Sequence, residues 1–170
     1  GQITNGPCDL GFDRFFGISA SLDMPPYVFV RDRTPTEPAT VEKAFHRKGP
    51  AAAGFEAVDV LPTITKEAVQ FIHDQAGSDE PFFLYLSHTT PHTPLQATAK
   101  YLDRYRHIDN KAKRIYAAMV SSLDDSVGAV VEKLRAIGQL NNTLIVFSSD
   151  NGCAGYIDNA CSNAPHAGYK

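Results

Sequence analysis

Hydrophobic positions change their spacing several times along this chain, and each change predicts a different element. Ile64, Ala68, Phe71 and Ile72 recur at helical spacing, which predicts a helix over about 63–76 that ends before Gly77. The next stretch, PFFLYLS (81–87), is short and continuously apolar, the pattern of a strand buried on both faces of a parallel sheet. Ile115, Met119, Leu123, Val127, Val130, Leu134 and Ile137 then step by four or three, with charged residues on the opposite face. That spacing predicts an amphipathic helix of about 25 residues, with Gly138 placed as its left-handed C-terminal cap. NNTLIVFSS (141–149) begins a second buried strand. Helix, strand, helix, strand implies a crossover unit, so the predicted fold class is α/β, a parallel sheet covered by helices. Residues 1–54 read as irregular: RDRTPTEPAT (31–40) as an exposed loop, and ISASLDMPPYVFV (18–30) as a short strand after Pro25-Pro26.

A length of 170 residues suits one domain with a real core. The net charge of −3 offers no electrostatic footprint for nucleic acid or for an anionic membrane. No apolar run approaches the roughly 18 residues that span a bilayer, so neither partner is expected. The oligomeric state has no signature. The three cysteines, Cys8, Cys153 and Cys161, form no CxxC pair. Cys153 and Cys161 are open between a bridge across a short loop and free thiols. Asn141-Asn142-Thr143 fits a glycosylation acceptor, though so short a match is common by chance.

Candidate chemistry lies at the two strand ends, because sites in open parallel sheets form beyond the carboxyl ends of the strands. The first strand runs into His88 and, in TPHTP, His92; the second runs into Asp150-Asn151. Prolines on either side of His92 restrict the loop backbone. A carboxylate and an amide oxygen suit a hard cation, Ca²⁺ or alternatively Mg²⁺, better than Zn²⁺. Asp-Asn-Gly is equally a favoured turn sequence. His92 can donate a proton near neutral pH, whereas His88, closer to the strand, reads as a packing residue. Asp124-Asp125 reads as a solvated or packing pair, and on spacing alone Lys170 is an ordinary terminal lysine.

Four segments together carry a resemblance: GFDRFFGISASLDMPPY, PFFLYLSHTTPHTPL, YAAMVSSLDDSVGAVVEKLRAIGQLNNTLIVFSSDNG and SNAPHAGYK. In order and spacing the chain resembles the type I sulfatases, near the arylsulfatase and N-acetylgalactosamine-6-sulfatase branch. The resemblance implies an alkaline-phosphatase-like α/β fold and hydrolysis of sulfate esters, on a small molecule or a glycan. It implies that His92 contacts the sulfate group and assists the leaving oxygen, that Asp150 and Asn151 ligate an active-site Ca²⁺, and that Lys170 binds a sulfate oxygen. Asn151, where related phosphoesterases carry a zinc-binding histidine, favours the oxygen-ligated site.

Such enzymes use a formylglycine made from the cysteine of a CxPSR segment, and none of the three cysteines here has that context. The expectation is therefore the central part of one catalytic domain over 1–170, with the nucleophile segment N-terminal to it and a further part C-terminal. The chain alone is expected to be inactive. A metal-dependent phosphoesterase of the same superfamily and a non-catalytic protein binding sulfated glycans are the alternatives. An exported, periplasmic or lysosomal location follows from the resemblance only.

Overall fold

A computed structural model describes residues 2–153, 155, 157, 160–166 and 168. It is mixed α/β. Three short strands, β1 (Phe16–Ile18), β2 (Phe29–Arg31) and β3 (Thr34–Pro35), form an antiparallel sheet in sequence order. Two longer ones, β4 (Ala39–Ala44) and β5 (Lys48–Ala52), pair as a hairpin. Three helices follow: α1 (Val60–Asp74), the single turn α2 (Ala99–Leu102) and α3 (Lys111–Ala136).

The helices form where periodicity predicts them. α1 buries Val60, Leu61, Ile64, Ala68 and Ile72 and packs against α3, which buries Ala118, Met119, Ser126 and Leu134. The Asn110 side chain accepts from the Lys113 N–H at 3.0 Å and caps α3. Gly138 closes the other end at φ 74°, a backbone conformation that only glycine adopts freely.

The N-terminal third is more ordered than its loop-like composition predicts. Residues 31–40 are not one loop. Asp32, at φ 54°, turns β2 into β3, and β4 starts at Ala39. Aspartate tolerates this left-handed conformation better than most residues. The two sheets are joined by Tyr27, whose backbone bridges Ala51 in parallel and whose ring meets Phe45 edge-on with centroids 4.9 Å apart. Phe55 packs on Tyr27, Phe29 and Phe45, completing an aromatic cluster under both hairpins.

The expected parallel strand pair does not form among the described residues. Residues 81–87 are extended with a period of two: Phe82, Leu84 and Leu86 turn inward, while Phe83 and Tyr85 are 76% and 72% exposed. Phe82 meets the Phe71 ring of α1 edge-on at 5.5 Å. Residues 143–149 run alongside no described strand, and Leu144 and Val146 are 89% and 80% exposed. The physical reason lies in the ladder. A central strand is specified by hydrogen-bonding neighbours on both sides, and no described strand is in register with either segment.

Candidate functional site

The inward parity of 82, 84 and 86 continues to His88, which the extended backbone delivers to the α1–α3 interface. Its Nε2 lies 3.0 Å from the Ser126 hydroxyl, and that hydroxyl lies 2.6 Å from the Thr65 hydroxyl. Thr65 donates to the Leu61 carbonyl at 2.7 Å, which spends its one proton. Ser126 must then donate to Thr65, and His88 Nε2–H must donate to Ser126. Burial pushes the His88 imidazole below its usual range. His88 is thus a packing residue, wired as a neutral tautomer.

The next residues turn away. His92 N–H donates to the Thr89 carbonyl at 3.1 Å, forming a tight turn. Its ring Nδ1 lies 2.8 Å from the Thr93 carbonyl; a carbonyl only accepts, so Nδ1 carries the proton and Nε2 is left for other work.

A second loop meets this one. Residues 19–26 are tied down by the Ser19 hydroxyl donating to the Pro26 carbonyl at 3.1 Å, and by Tyr27 Oη donating to the Arg47 carbonyl at 2.5 Å. Gly49 of β5 lies directly under Pro25, where a Cβ would approach the proline ring to 2.4 Å. Leu22 of this loop and Thr89 and Thr90 of the other line a common cavity of about 30 Å³. Asp23, next to Leu22, is only 8% exposed, and among the described residues neither its Oδ1 nor the buried Thr89 Oγ1 has a hydrogen-bond partner. The Ser21 hydroxyl holds the Asp23 carboxyl below the usual carboxylate range against the opposing effect of burial, helped by its own N–H and by the charges of His92 and Arg47. Sequence reading passed over Asp23. The only signal for it was a carboxylate set between Leu22 and a run of two prolines.

Asp150 and Asn151 lie in an exposed bend at the end of 143–149. The Ser149 hydroxyl donates to the Asn151 carbonyl at 2.6 Å, and Asn151 Nδ2 donates to the Gly152 carbonyl at 2.9 Å; among the described residues nothing donates to Asn151 Oδ1. Asp150 takes part in no ion pair among the described residues. Just beyond, Cys153 N–H donates to Asn163 Oδ1 at 2.7 Å, and a disulfide joins Cys153 to Cys161 with Cα atoms 6.0 Å apart. The bridge is the outcome of the open alternative, and Cys8 is the free thiol. No hydrogen bond or ion pair joins His92 to Asp150 or Asn151 among the described residues, and no group of three or more His, Cys, Asp or Glu gathers there as a metal site. Lys170 lies outside the described residues. Asp125, expected to be solvated or packing, accepts from Lys100 at 3.1 Å, Tyr101 at 3.0 Å and Arg104 at 3.3 Å, which holds its carboxyl below the usual range.

Comparison with known proteins decides the family: a family model described as Sulfatase matches residues 3–170. The chain belongs to the sulfatase family. This sulfatase chain is 33% identical to mouse arylsulfatase J over 147 residues, 86% of its own length and 24% of the relative's. It is 30% identical to mouse N-acetylgalactosamine-6-sulfatase over 152 residues, 87% of itself and 28% of that protein. It therefore spans about a quarter of the length of these curated relatives. Among solved structures, the crystal structure of Ps i-CgsB in complex with k-i-k-neocarrahexaose matches at 40% identity and a TM-score of 0.57, covering 62% of this chain and 23% of that one. A chain solved in work on the metabolism of multiple glycosaminoglycans by Bacteroides thetaiotaomicron matches at a TM-score of 0.73 over 91% of this chain and 39% of its own; at 22% identity this likeness concerns fold alone. The α/β, alkaline-phosphatase-like class expected from sequence holds at that level, with antiparallel sheets in the described part.

Proposed function

We propose that this chain is part of the catalytic domain of a sulfuric ester hydrolase acting on an aryl or sugar sulfate. What carries the reading is the family match, whose span of 3–170 contains positions 92, 150 and 151. The glycan-directed names of several relatives and the carrahexaose bound to Ps i-CgsB favour a glycan ester.

In ester hydrolysis an oxygen nucleophile attacks sulfur, and the S–O bond pair passes to the leaving oxygen. That oxygen needs a proton. With Nδ1–H spent on the Thr93 carbonyl, a protonated His92 offers Nε2–H as the donor. Lys170 is assigned to a sulfate oxygen. The donor set of Asp150 and Asn151 fits a hard cation in kind, since among the described residues Asp150 forms no ion pair and nothing donates to Asn151 Oδ1, and it supplies two of the six to eight oxygens that Ca²⁺ takes. Bound there, Ca²⁺ or Mg²⁺ would stabilise negative charge on the sulfate oxygens. The nucleophile, a formylglycine, is not among these residues: Cys153 and Cys161 are bridged, and Cys8 stands in PCDL. The 170 residues alone are accordingly inactive.

The test is turnover of a chromogenic aryl sulfate and the matching aryl phosphate by the complete natural protein, with calcium, with zinc and with chelator. Sulfate turnover that needs calcium and fails in His92→Gln is expected. Preference for phosphate with zinc would overturn the reading, as would aryl sulfate turnover by the 170-residue chain.

A further inference from the structure

We propose that the cavity behind the 89–92 turn binds one internal water, and that Thr89, by holding this water on its hydroxyl, is a positioning residue for His92. The positioning role rests on the reading of His92 as general acid; the water site does not.

The cavity lies where the loop that follows 81–87 meets α1 and α3. Its volume of about 30 Å³ exceeds the ~10–15 Å³ that one water requires. Leu61 of α1 and Met119 of α3 line it, and a wholly apolar cavity of this kind would stay dry. Thr89, Gln96, Thr98 and Ser122 line it as well. Thr89 Oγ1 is buried and has no hydrogen-bond partner among the described residues, an unfavourable state for a hydroxyl shielded from solvent. The Thr98 side chain makes no capping bond to α2. The Ser122 hydroxyl donates its one proton to the Met119 carbonyl at 2.6 Å and so can still accept. A buried water makes about three hydrogen bonds, and this wall supplies both donors and acceptors for them. No charged side chain lines the cavity, so an ion would lack a counter-charge there. Water, neutral and able to donate and accept at once, fits the lining.

The same residue sets the turn. His92 N–H donates to the Thr89 carbonyl at 3.1 Å, so residue 89 is the base from which the imidazole is presented. Among the described residues a single hydrogen bond ties 89–98 to α3, from Gln96 N–H to Met119 Sδ at 3.5 Å, and sulfur accepts weakly. A water bridging Thr89 to Ser122 adds a second tie at the turn itself, onto a helix that α1 braces.

The experiment uses the complete natural protein. A high-resolution crystal structure is expected to show an ordered water about 2.7–3.2 Å from Thr89 Oγ1. Thr89→Val keeps the shape and is expected to lose that water and to lower the melting midpoint by about 1–3 °C; deleting a hydroxyl that truly lacked a partner would raise it. With an aryl sulfate, kcat is expected to fall about three- to tenfold at little change in KM, and Thr89→Ser to restore both kcat and midpoint. In the His92→Gln background, Thr89→Val is expected to move kcat by less than about twofold while still lowering the midpoint. A dry cavity in the wild-type crystal, which needs no variant to fold, overturns the site, as does a higher midpoint in Thr89→Val. An unchanged kcat in Thr89→Val, or an equal fall in the His92→Gln background, overturns the positioning role. If His92→Gln turns over normally, the general-acid reading falls, and the crystal and the midpoint still decide the water.

Discussion

Ser126→Ala tests whether the hydrogen-bond chain across the helix interface is wired as its donors and acceptors require. Ser126 is 3% exposed on α3 and stands between His88 and Thr65. Its removal leaves Thr65 still donating to the Leu61 carbonyl, so Thr65 loses only an incoming bond. His88 loses the acceptor for Nε2–H. A buried donor left unpaired costs about 1–3 kcal/mol, and His88 is only partly buried, so the middle of that range, about 2 kcal/mol, applies. For a chain of this size that corresponds to a fall in Tm of about 4–8 °C. Urea unfolding followed by far-UV circular dichroism measures it, with the midpoint falling and the slope unchanged. Ser126→Ala combined with His88→Leu is expected to recover much of the loss, since no polar group is then stranded. A Ser126→Ala midpoint equal to wild type would refute the wiring, as would a double variant that loses the sum of both single losses.

Stability should also depend on pH through His88. Its folded-state affinity for protons is below that of the unfolded chain, so unfolding takes up a proton as pH falls below about 6.5; stability is full above that pH and declines beneath it, and His88→Gln should flatten the decline in urea midpoints. Gly49→Ala places a methyl 2.4 Å from the Pro25 ring and should cost about 1–3 kcal/mol by overpacking, read as a lower melting temperature. TLIVF (143–147) is an exposed, uncharged apolar run, so Val146→Lys should lengthen the lag before light scattering rises in the concentrated 170-residue chain; an unchanged lag would place aggregation elsewhere.

Helices α1 and α3 were legible because one face of each is buried within the chain's own pair, and the three-four spacing of Ile64, Ala68, Met119 and Leu134 records that burial directly. The hairpin of β4 and β5 was not legible, since β4 is exposed at all but one position and so lacks alternation. The two apolar runs were read as buried, paired strands, but neither pairs with a described strand and 144–149 are exposed. Hydrophobicity encodes what a strand buries, whereas pairing depends on which backbone lies beside it. Among candidate residues, His92 was singled out from its prolines, and His88 was assigned to packing from its closeness to the run. The burial of Asp23 escaped because no local sequence pattern marks a carboxylate that folds to 8% exposure.

One phenol, Tyr27, serves two hairpins at once, by its hydroxyl on the Arg47 carbonyl and by its ring on Phe45 and Phe55. Positions 27, 45 and 55 therefore cannot drift singly through descent: a smaller ring at one demands a larger neighbour at another, or the tilt of the whole N-terminal platform changes. Exchanges at these three sites should be inherited as matched sets.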